Sequence, residues 1–254
     1  MVIDCHCHGG KGEGLQAPWD TEAPLGPYLR RARAAGIGRT VIFPTFSKDY
    51  ARANVALARI AAEHPGRFIC FASVNPQVDA GRVHSMVHGA VRRLGFRGIK
   101  VHGHEGTITR EICEAAAELG VPILYDIVGR TEVLEMVATQ YPSVPFIIPH
   151  LGSFLDDWKV HVELIRQLRR YPNVYADTSG VRRFDYLVQA VREAGPGKLL
   201  FGSDGPWLHP GLELHKIRLL GLPPPQEALI TGHNVLRLIR GVRNISRANS
   251  RATA

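Results

Sequence analysis

The sequence predicts a single α/β domain with the fold of a closed (β/α)8 TIM barrel, and three observations support this. Short apolar runs of β type recur at intervals of about 24 to 36 residues, the length of one strand plus one returning helix. These runs lack polar alternation, which is typical of parallel strands buried on both faces. The chain has 254 residues, a normal size for one such barrel.

Strands and helices are predicted to alternate along the chain. The strands cover residues 2–5, 40–43, 68–74, 98–101, 121–127, 146–148, 174–176 and 199–201. The helices cover residues 47–64, 79–94, 109–119, 131–140, 156–170, 182–194, 213–220 and 226–240, and several of them end at glycine or proline, which interrupt helical hydrogen bonding. We assign residues 1–240 to the barrel. Residues 241–254 form a basic tail, poor in apolar residues, that we expect to be disordered.

Composition and charge disfavour several classes of protein. Hydrophobic residues make up 45% of the chain and charged residues 21%, as in ordinary globular proteins. No apolar run reaches the roughly 18 residues of a membrane span, and the early polar cluster argues against a signal peptide. The 4 cysteines then favour free thiols in a reducing cytoplasm. The net charge of +8 comes from arginines scattered over predicted helices, which favours solvated helix faces over a nucleic-acid groove.

The run Asp4-Cys5-His6-Cys7-His8 follows the first apolar residues of the chain. Alternate side chains of a strand share one face, so we expect His6 and His8 to point the same way, with Asp4 beside them and both cysteines opposite. Two imidazoles at this spacing can bind one divalent ion. Two ordinary core histidines would give the same pattern, so the prediction depends on the other strand ends.

Ligand-type residues recur at the predicted carboxyl ends of other strands, where barrel enzymes carry their catalytic groups. Each residue has a simpler explanation when it is taken alone. His150 fits a hydrogen-bonded core residue, Asp177 a helix cap, and Asp204 a turn. Their joint occurrence at one end of a barrel favours a functional site. The residues are Lys100, His102, His104, Asp126, Arg130, His150, Asp177, Asp204 and Trp207.

These motifs resemble the amidohydrolase superfamily, in the branch often named amidohydrolase 2. The resemblance covers nearly the whole chain, and the motifs follow the order of the family. It rests on Ile3-Asp4-Cys5-His6-Cys7-His8, Gly98-Ile99-Lys100-Val101-His102, His150-Leu151-Gly152 and segments 173–180, 201–207 and 232–238.

The resemblance implies a divalent metal site with one or two ions, zinc being the first expectation and manganese or iron the alternatives. His6 and His8 would be ligands, and Asp204 either a ligand or the base that takes a proton from activated water. His150 would bind a second metal or polarise the substrate. The family usually carries a histidine at the end of strand five, where this chain has Asp126. We include Asp126 among the metal ligands, where its oxygen donors would shift the preference from zinc towards manganese or iron.

The remaining polar strand ends are expected to serve catalysis or substrate binding. In parts of the superfamily the lysine at the position of Lys100 is carboxylated and bridges two metals, but we favour an unmodified lysine that stabilises charge. His102, His104 and Arg130 are candidates for substrate binding, and Arg130 suits a carboxylate or phosphate group. Trp207 is expected to form a wall of the pocket.

The sequence therefore predicts a metal-dependent hydrolase of a small amide, lactone or ester-like substrate, with Asp204, His150 and Lys100 as catalytic residues. A non-oxidative decarboxylase of the same superfamily is the first alternative, although such relatives tend to carry insertions where this chain has the short segment 9–24. A TatD-type metal-dependent deoxyribonuclease would fit the basic charge, but the glutamate-containing run near strand four is missing. A barrel that binds metal without catalysis is the last alternative, because Asp126 replaces the histidine that the family usually carries.

We expect a small-molecule partner rather than nucleic acid or a membrane. The apolar helix faces are compatible with a homo-oligomer.

Overall fold

A computed structural model describes residues 1–13 and 23–241 of the chain. One sheet of eight parallel strands runs in the order β1 to β8, so each strand pairs with its sequence neighbour. This architecture confirms the predicted barrel. The strands are β1 (Val2–Gly9), β2 (Ile37–Pro44), β3 (Phe68–Ser73), β4 (Gly98–His102), β5 (Ile123–Asp126), β6 (Phe146–Ile148), β7 (Val174–Asp177) and β8 (Leu199–Leu200).

Helices surround the ring of strands and cover one of its ends. They are α1 (Leu25–Ala34), α2 (Tyr50–Ala62), α3 (Val83–Leu94), α4 (Arg110–Leu119), α5 (Glu132–Gln140), α6 (Trp158–Arg170), α7 (Phe184–Ala194), α8 (Pro210–Leu219), α9 (Pro224–Ala228) and α10 (Asn234–Leu238). Helix α1 falls in a stretch for which no helix bounds are predicted. The last predicted helix is interrupted by a π-helical turn at Leu229–His233.

Within the described residues, no helix is both long and apolar enough to cross a membrane. The predicted tail falls almost entirely outside the described residues.

Local signals end the helices where the chain must return to the ring. Asp49 caps α2 by accepting a hydrogen bond from the backbone N–H of Arg52 at 3.1 Å. Helices α3 and α4 end at Gly95 and Gly120, whose φ angles of 76° and 63° lie in the left-handed region that glycine adopts without steric cost. Strands β4 and β5 begin within a few residues of these glycines. The glycines thus direct the chain back into the sheet.

The barrel closes between β1 and the segment that follows β8. The backbone N–H of Cys5 donates to the carbonyl of Phe201 at 2.8 Å, and that of His8 donates to Gly205 at 2.7 Å. Since β8 contains only Leu199–Leu200, residues beyond the strand complete the seam. The closure therefore places the loop after β8 directly beside the carboxyl half of β1.

Apolar side chains form one core inside the ring and a second core between the ring and the helices. Val235, Leu238 and Ile239, from α10 and the residue after it, pack against the inner core. The backbone beside α10 meets the start of β1, because a Cβ atom at Gly232 would lie 2.5 Å from the carbonyl oxygen of Met1. Helix α10 thus covers the amino-terminal end of the ring, so the opposite end is free to carry a site. The inner core comprises Ile3, Cys5, Val41, Phe43, Ile69, Phe71, Leu124, Ile147 and Leu200.

Gly98 provides a test of the packing inside the ring. A Cβ atom at Gly98 would lie 2.5 Å from Cζ of the fully buried Phe71. We expect Gly98→Ala to lower the free energy of unfolding by about 1–3 kcal/mol, because a rigid ring has no room to move. Urea denaturation measures this change. Gly197→Ala is the matched control, since no atom of the described residues lies within 4 Å of its Cβ position, and it should change stability by less than about 0.5 kcal/mol. Equal stabilities of the two variants would contradict this packing.

Candidate metal centre and substrate pocket

Strand β1 contains a β-bulge between Asp4 and Cys7 that changes which side chains face the ring interior. Cys5 lies in the inner core, whereas Cys7 lies in the outer core. His6 and His8 line a cavity at the carboxyl end of the ring, as predicted. Two expectations about this strand are wrong. Asp4 does not lie beside the two histidines, and Cys5 faces the interior of the ring instead of pointing away from it. The extra residue of the bulge breaks the strict alternation of the strand.

The Asp4 carboxylate joins three parts of the structure below the cavity. It accepts hydrogen bonds from the Tyr28 hydroxyl on α1 at 2.7 Å, and from the backbone N–H of His6 at 3.1 Å. Ser203, after β8, donates to it through its backbone N–H at 2.9 Å and through its hydroxyl. Complete burial raises the pKa of Asp4 to about 6, although these donors oppose the shift. Asp4 thus fixes β1 to the loop that carries Asp204.

His6, His8 and Asp204 converge at the floor of the cavity. Oδ1 of Asp204 lies 3.3 Å from Nε2 of His6 and 3.4 Å from Nε2 of His8. One ligand atom from each residue lies within 4.8 Å of the other two, and all three side chains are buried. Two imidazoles and a carboxylate are a common donor set for a catalytic zinc-type ion. The barrel thus brings together ligands that are almost 200 residues apart in the sequence.

The orientation of His6 favours a metal at this position. Its Nδ1 hydrogen-bonds the Asp177 carboxylate at 2.8 Å, so Nδ1 carries a proton and Nε2 faces the other ligands. Nε2 is fully buried, and no atom in the described part of the chain forms a hydrogen bond of acceptable geometry with it. Burial disfavours the charged ring, but Asp177 outweighs it and raises the pKa of His6 to about 9. The surroundings of Nε2 thus stabilise a positive charge there, either a proton or a metal ion.

His8 and His150 are also suited to bind through Nε2. Burial lowers the pKa of His8 to about 3, so its ring is neutral and keeps a free lone pair. Nδ1 of His150 donates to the carbonyl of Ser179 at 2.9 Å, which leaves the lone pair on Nε2. The His150 ring centroid lies 5.1 Å from that of His6. Asp177 orients His6 and Ser179 orients His150. The sequence placed Asp177 at a strand end without a role in binding, and it did not single out Ser179, whose position after β7 is the signal that could have included it.

Asp126 belongs to a second cluster in the same cavity. Its Oδ2 lies 3.1 Å from Nε2 of His102 and 3.9 Å from Nε2 of His150, while Oδ1 accepts from the N–H of Val128 at 2.9 Å. Although burial opposes ionisation, His102 and His150 keep the pKa of Asp126 well below its usual range. Asp126 is not part of the close group formed by His6, His8 and Asp204. The structure therefore pairs this predicted ligand with His102.

Lys100 lies in the wall of the cavity with its ammonium group unpaired. Its side chain is buried, and Nζ lies 4.9 Å from the ring centroid of Phe43. No carboxylate of the described residues lies within ion-pair distance of Nζ. Burial lowers the pKa of Lys100, although the charge of Asp126 opposes this shift. An unpaired buried cation is costly, so this position is suited to an anionic group of a ligand.

The other predicted binding residues line the mouth of the cavity, whose volume is about 510 Å³. His104 stacks on His102 with ring centroids 5.0 Å apart, and Trp207 contacts His8 with centroids 4.6 Å apart. The buried indole N–H of Trp207 has no hydrogen-bond partner among residues 1–13 and 23–241. Arg130 also lines the cavity, but three of its donors bind the adjoining loops, at Gly103 O, Thr107 Oγ1 and Ile127 O.

Comparison with known families assigns the chain to one of them. The sequence model of the family described as amidohydrolase matches residues 3–240. The chain belongs to the amidohydrolase family. No curated protein matches the chain at a significant level.

Solved structures share the fold of this chain at low sequence identity. An amidohydrolase from Burkholderia multivorans with bound HEPES has a TM-score of 0.78 and 14% identity, covering 94% of this chain and 99% of that one. A 5-carboxyvanillate decarboxylase from Sphingomonas paucimobilis has a TM-score of 0.72 and 16% identity, with coverages of 94% and 98%. A dihydroxybenzoic acid decarboxylase from Polaromonas, with bound manganese and the inhibitor 2-nitroresorcinol, has a TM-score of 0.69 and 17% identity, with coverages of 94% and 96%. These likenesses show the barrel fold.

The hydrogen bond between His6 and Asp177 gives a prediction for metal affinity. Asp177→Asn should weaken binding of a divalent ion in the pocket about 10–100-fold, because the carboxylate orients the ring and raises its basicity. Competition with a chromophoric chelator measures the affinity. Asp185→Asn is the control, since this carboxylate is exposed and, among the residues that the structure describes, forms its ion pair with Arg183. A folded Asp177→Asn variant with the affinity of the native protein would rule out this role.

Proposed function

We propose that the chain is a divalent-metal-dependent hydrolase of a small amide, lactone or ester-like substrate. The observation that carries the proposal is the convergence of His6, His8 and Asp204 at the floor of the cavity. The donor set suits zinc first, and the oxygen donors of Asp126 beside His150 also suit manganese or iron. A cavity of about 510 Å³ is in the range of small-molecule sites.

The side chains of the site have distinct roles in this proposal. His6 and His8 hold the ion, and His150 binds or polarises the substrate from the adjoining wall. When bound, a divalent ion supplies Lewis acidity, which polarises a carbonyl group and lowers the pKa of water towards about 7. His6 and His8 outweigh burial and keep the pKa of Asp204 well below its usual range. Asp204 is therefore ionised, as a metal ligand or a proton acceptor must be.

Non-oxidative decarboxylation is the second candidate reaction, because of the unpaired Lys100. Its ammonium group could bind a substrate carboxylate, and the aromatic walls at Phe46 and Trp207 suit a planar substrate. The structures from Sphingomonas and Polaromonas are decarboxylases of aromatic acids by their names. Hydrolysis is the first candidate, because it gives a role to each residue at the floor of the cavity: His6 and His8 bind the ion, and Asp204 binds the ion or accepts a proton from water.

Replacing the two histidines of β1 tests the metal site. The protein carrying His6→Ala and His8→Ala should lose one equivalent of bound divalent metal per chain, because two of the three converging ligands are removed. Elemental analysis after dialysis measures the metal. His104→Ala, at the mouth of the cavity, should keep that equivalent. Unchanged metal content in the double variant would refute the assignment.

Replacing Asp204 and Lys100 separates the two reactions. Asp204→Asn should lower kcat at least about 100-fold for either reaction, because the carboxylate no longer binds the ion or accepts a proton. Lys100→Met should raise KM strongly for carboxylate substrates and little for neutral lactones. We would assay a panel of amides, lactones and esters for hydrolysis, and a panel of aromatic acids for release of carbon dioxide. Full activity of Asp204→Asn would remove this residue from the mechanism.

A further inference from the structure

A second cluster of metal-ligand side chains lies on the outer surface, away from the cavity. His84 and His88 are one turn apart on α3, so their rings share one face of the helix. The rings are stacked, with centroids 4.1 Å apart and planes at 26°. Glu118, in the last turn of α4, reaches both rings. Its Oε2 lies 2.7 Å from Nε2 of His84, and its Oε1 lies 3.2 Å from Nε2 of His88.

This arrangement already brings one ligand atom of each residue within 4.8 Å of the other two. The side chains of His84, His88 and Glu118 are 53%, 25% and 54% exposed, so an ion can enter from solvent. Within the described part of the chain, no lysine or arginine forms an ion pair with Glu118. The Glu118 carboxylate contacts only neutral or titratable imidazole rings among these residues, so it is available as a ligand for a metal ion.

The backbone around the cluster is held in place before any ion binds. Glu111, at the start of α4, accepts hydrogen bonds from the N–H groups of Gly81 at 2.8 Å and His84 at 3.2 Å. Below the surface, Val87 of α3 and Ala115 of α4 belong to the buried outer core. The two helices thus present their ligands with little freedom to separate, which lowers the entropic cost of binding.

We propose that His84, His88 and Glu118 form a second divalent-metal site, for an ion that prefers imidazole ligands, such as Zn²⁺. Two imidazoles and one carboxylate match the protein ligands of known three-ligand zinc sites, in which solvent takes the fourth position. Ion pairing explains the cluster less well. An exposed histidine–glutamate pair contributes little stability, and two stacked rings that were both protonated would repel each other. This site does not depend on the proposed function of the cavity.

Metal binding here would link the two helices that flank β4. Helix α3 precedes that strand and α4 follows it, while β4 carries Lys100 and His102. Because an ion that binds only the folded chain stabilises it, zinc should raise the thermal midpoint through this site.

Zinc titration of the full chain tests the proposal, with a chromophoric chelator as competitor. In the background of His6→Ala and His8→Ala, the protein should bind one equivalent of Zn²⁺ and show a higher thermal midpoint. Adding His84→Ala and His88→Ala should abolish both effects. Glu118→Gln should weaken zinc binding at least tenfold, because it keeps the size of the side chain and removes its charge. Retention of the equivalent and of the midpoint shift in the fourfold variant would overturn the proposal.

If the variant that carries His6→Ala and His8→Ala does not fold, the substitutions at His84 and His88 can be made in the otherwise native chain. His84→Ala with His88→Ala should then remove one of two zinc equivalents, whereas His215→Ala, an exposed histidine on α8, should remove none. Loss of an equivalent in both variants would indicate unspecific surface binding and refute the site. A native chain that binds a single equivalent, lost with His84 and His88, would support this site and refute the one in the cavity.

Discussion

The seam that closes the barrel is the constraint on which the candidate site depends. Strand β8 contributes only Leu199–Leu200, so few sheet hydrogen bonds join it to β1. The buried Asp4 carboxylate adds to them, because it binds both β1 and Ser203. A buried carboxylate without donors would be strongly destabilising, and here each oxygen is satisfied. The pairing holds Ser203 in place, and its neighbour Asp204 therefore lies beside His6 and His8.

Charges in the cavity are arranged as two carboxylate–histidine groups with a lysine in the wall. Asp204 contacts His6 and His8, whereas Asp126 contacts His102. Lys100 interacts electrostatically with both carboxylates but pairs directly with neither. The first group has the close geometry of a metal site, and the second has the geometry of an acid–base pair. Asp126 therefore occupies the position of the family's histidine as the partner of His102, and it need not be a metal ligand there.

The cavity and the outer surface assemble the same donor types by different means. His6, His8 and Asp204 meet because the ring closes, and Asp177 sets the orientation of His6. His84 and His88 meet because they are one helical turn apart, and only Glu118 comes from another element. The first cluster is buried and depends on hydrogen bonds behind its ligands. The second is exposed and depends on the packing of α3 against α4.

The sequence alone determined the barrel, because the spacing of its apolar runs follows from the lengths of one strand and one helix. It also determined that His6, His8, Lys100, His150 and Asp204 occur at strand ends, since parallel strands place those ends on one face. Only the tertiary structure decided which way each side chain points. The bulge in β1 turned Asp4 towards α1, and Asp126 paired with His102, because both outcomes depend on backbone register and on neighbours distant in sequence. The roles of Asp177 and Ser179 were decided in the same way: a residue that orients a ligand is defined by its distance from that ligand, and no local pattern encodes that distance.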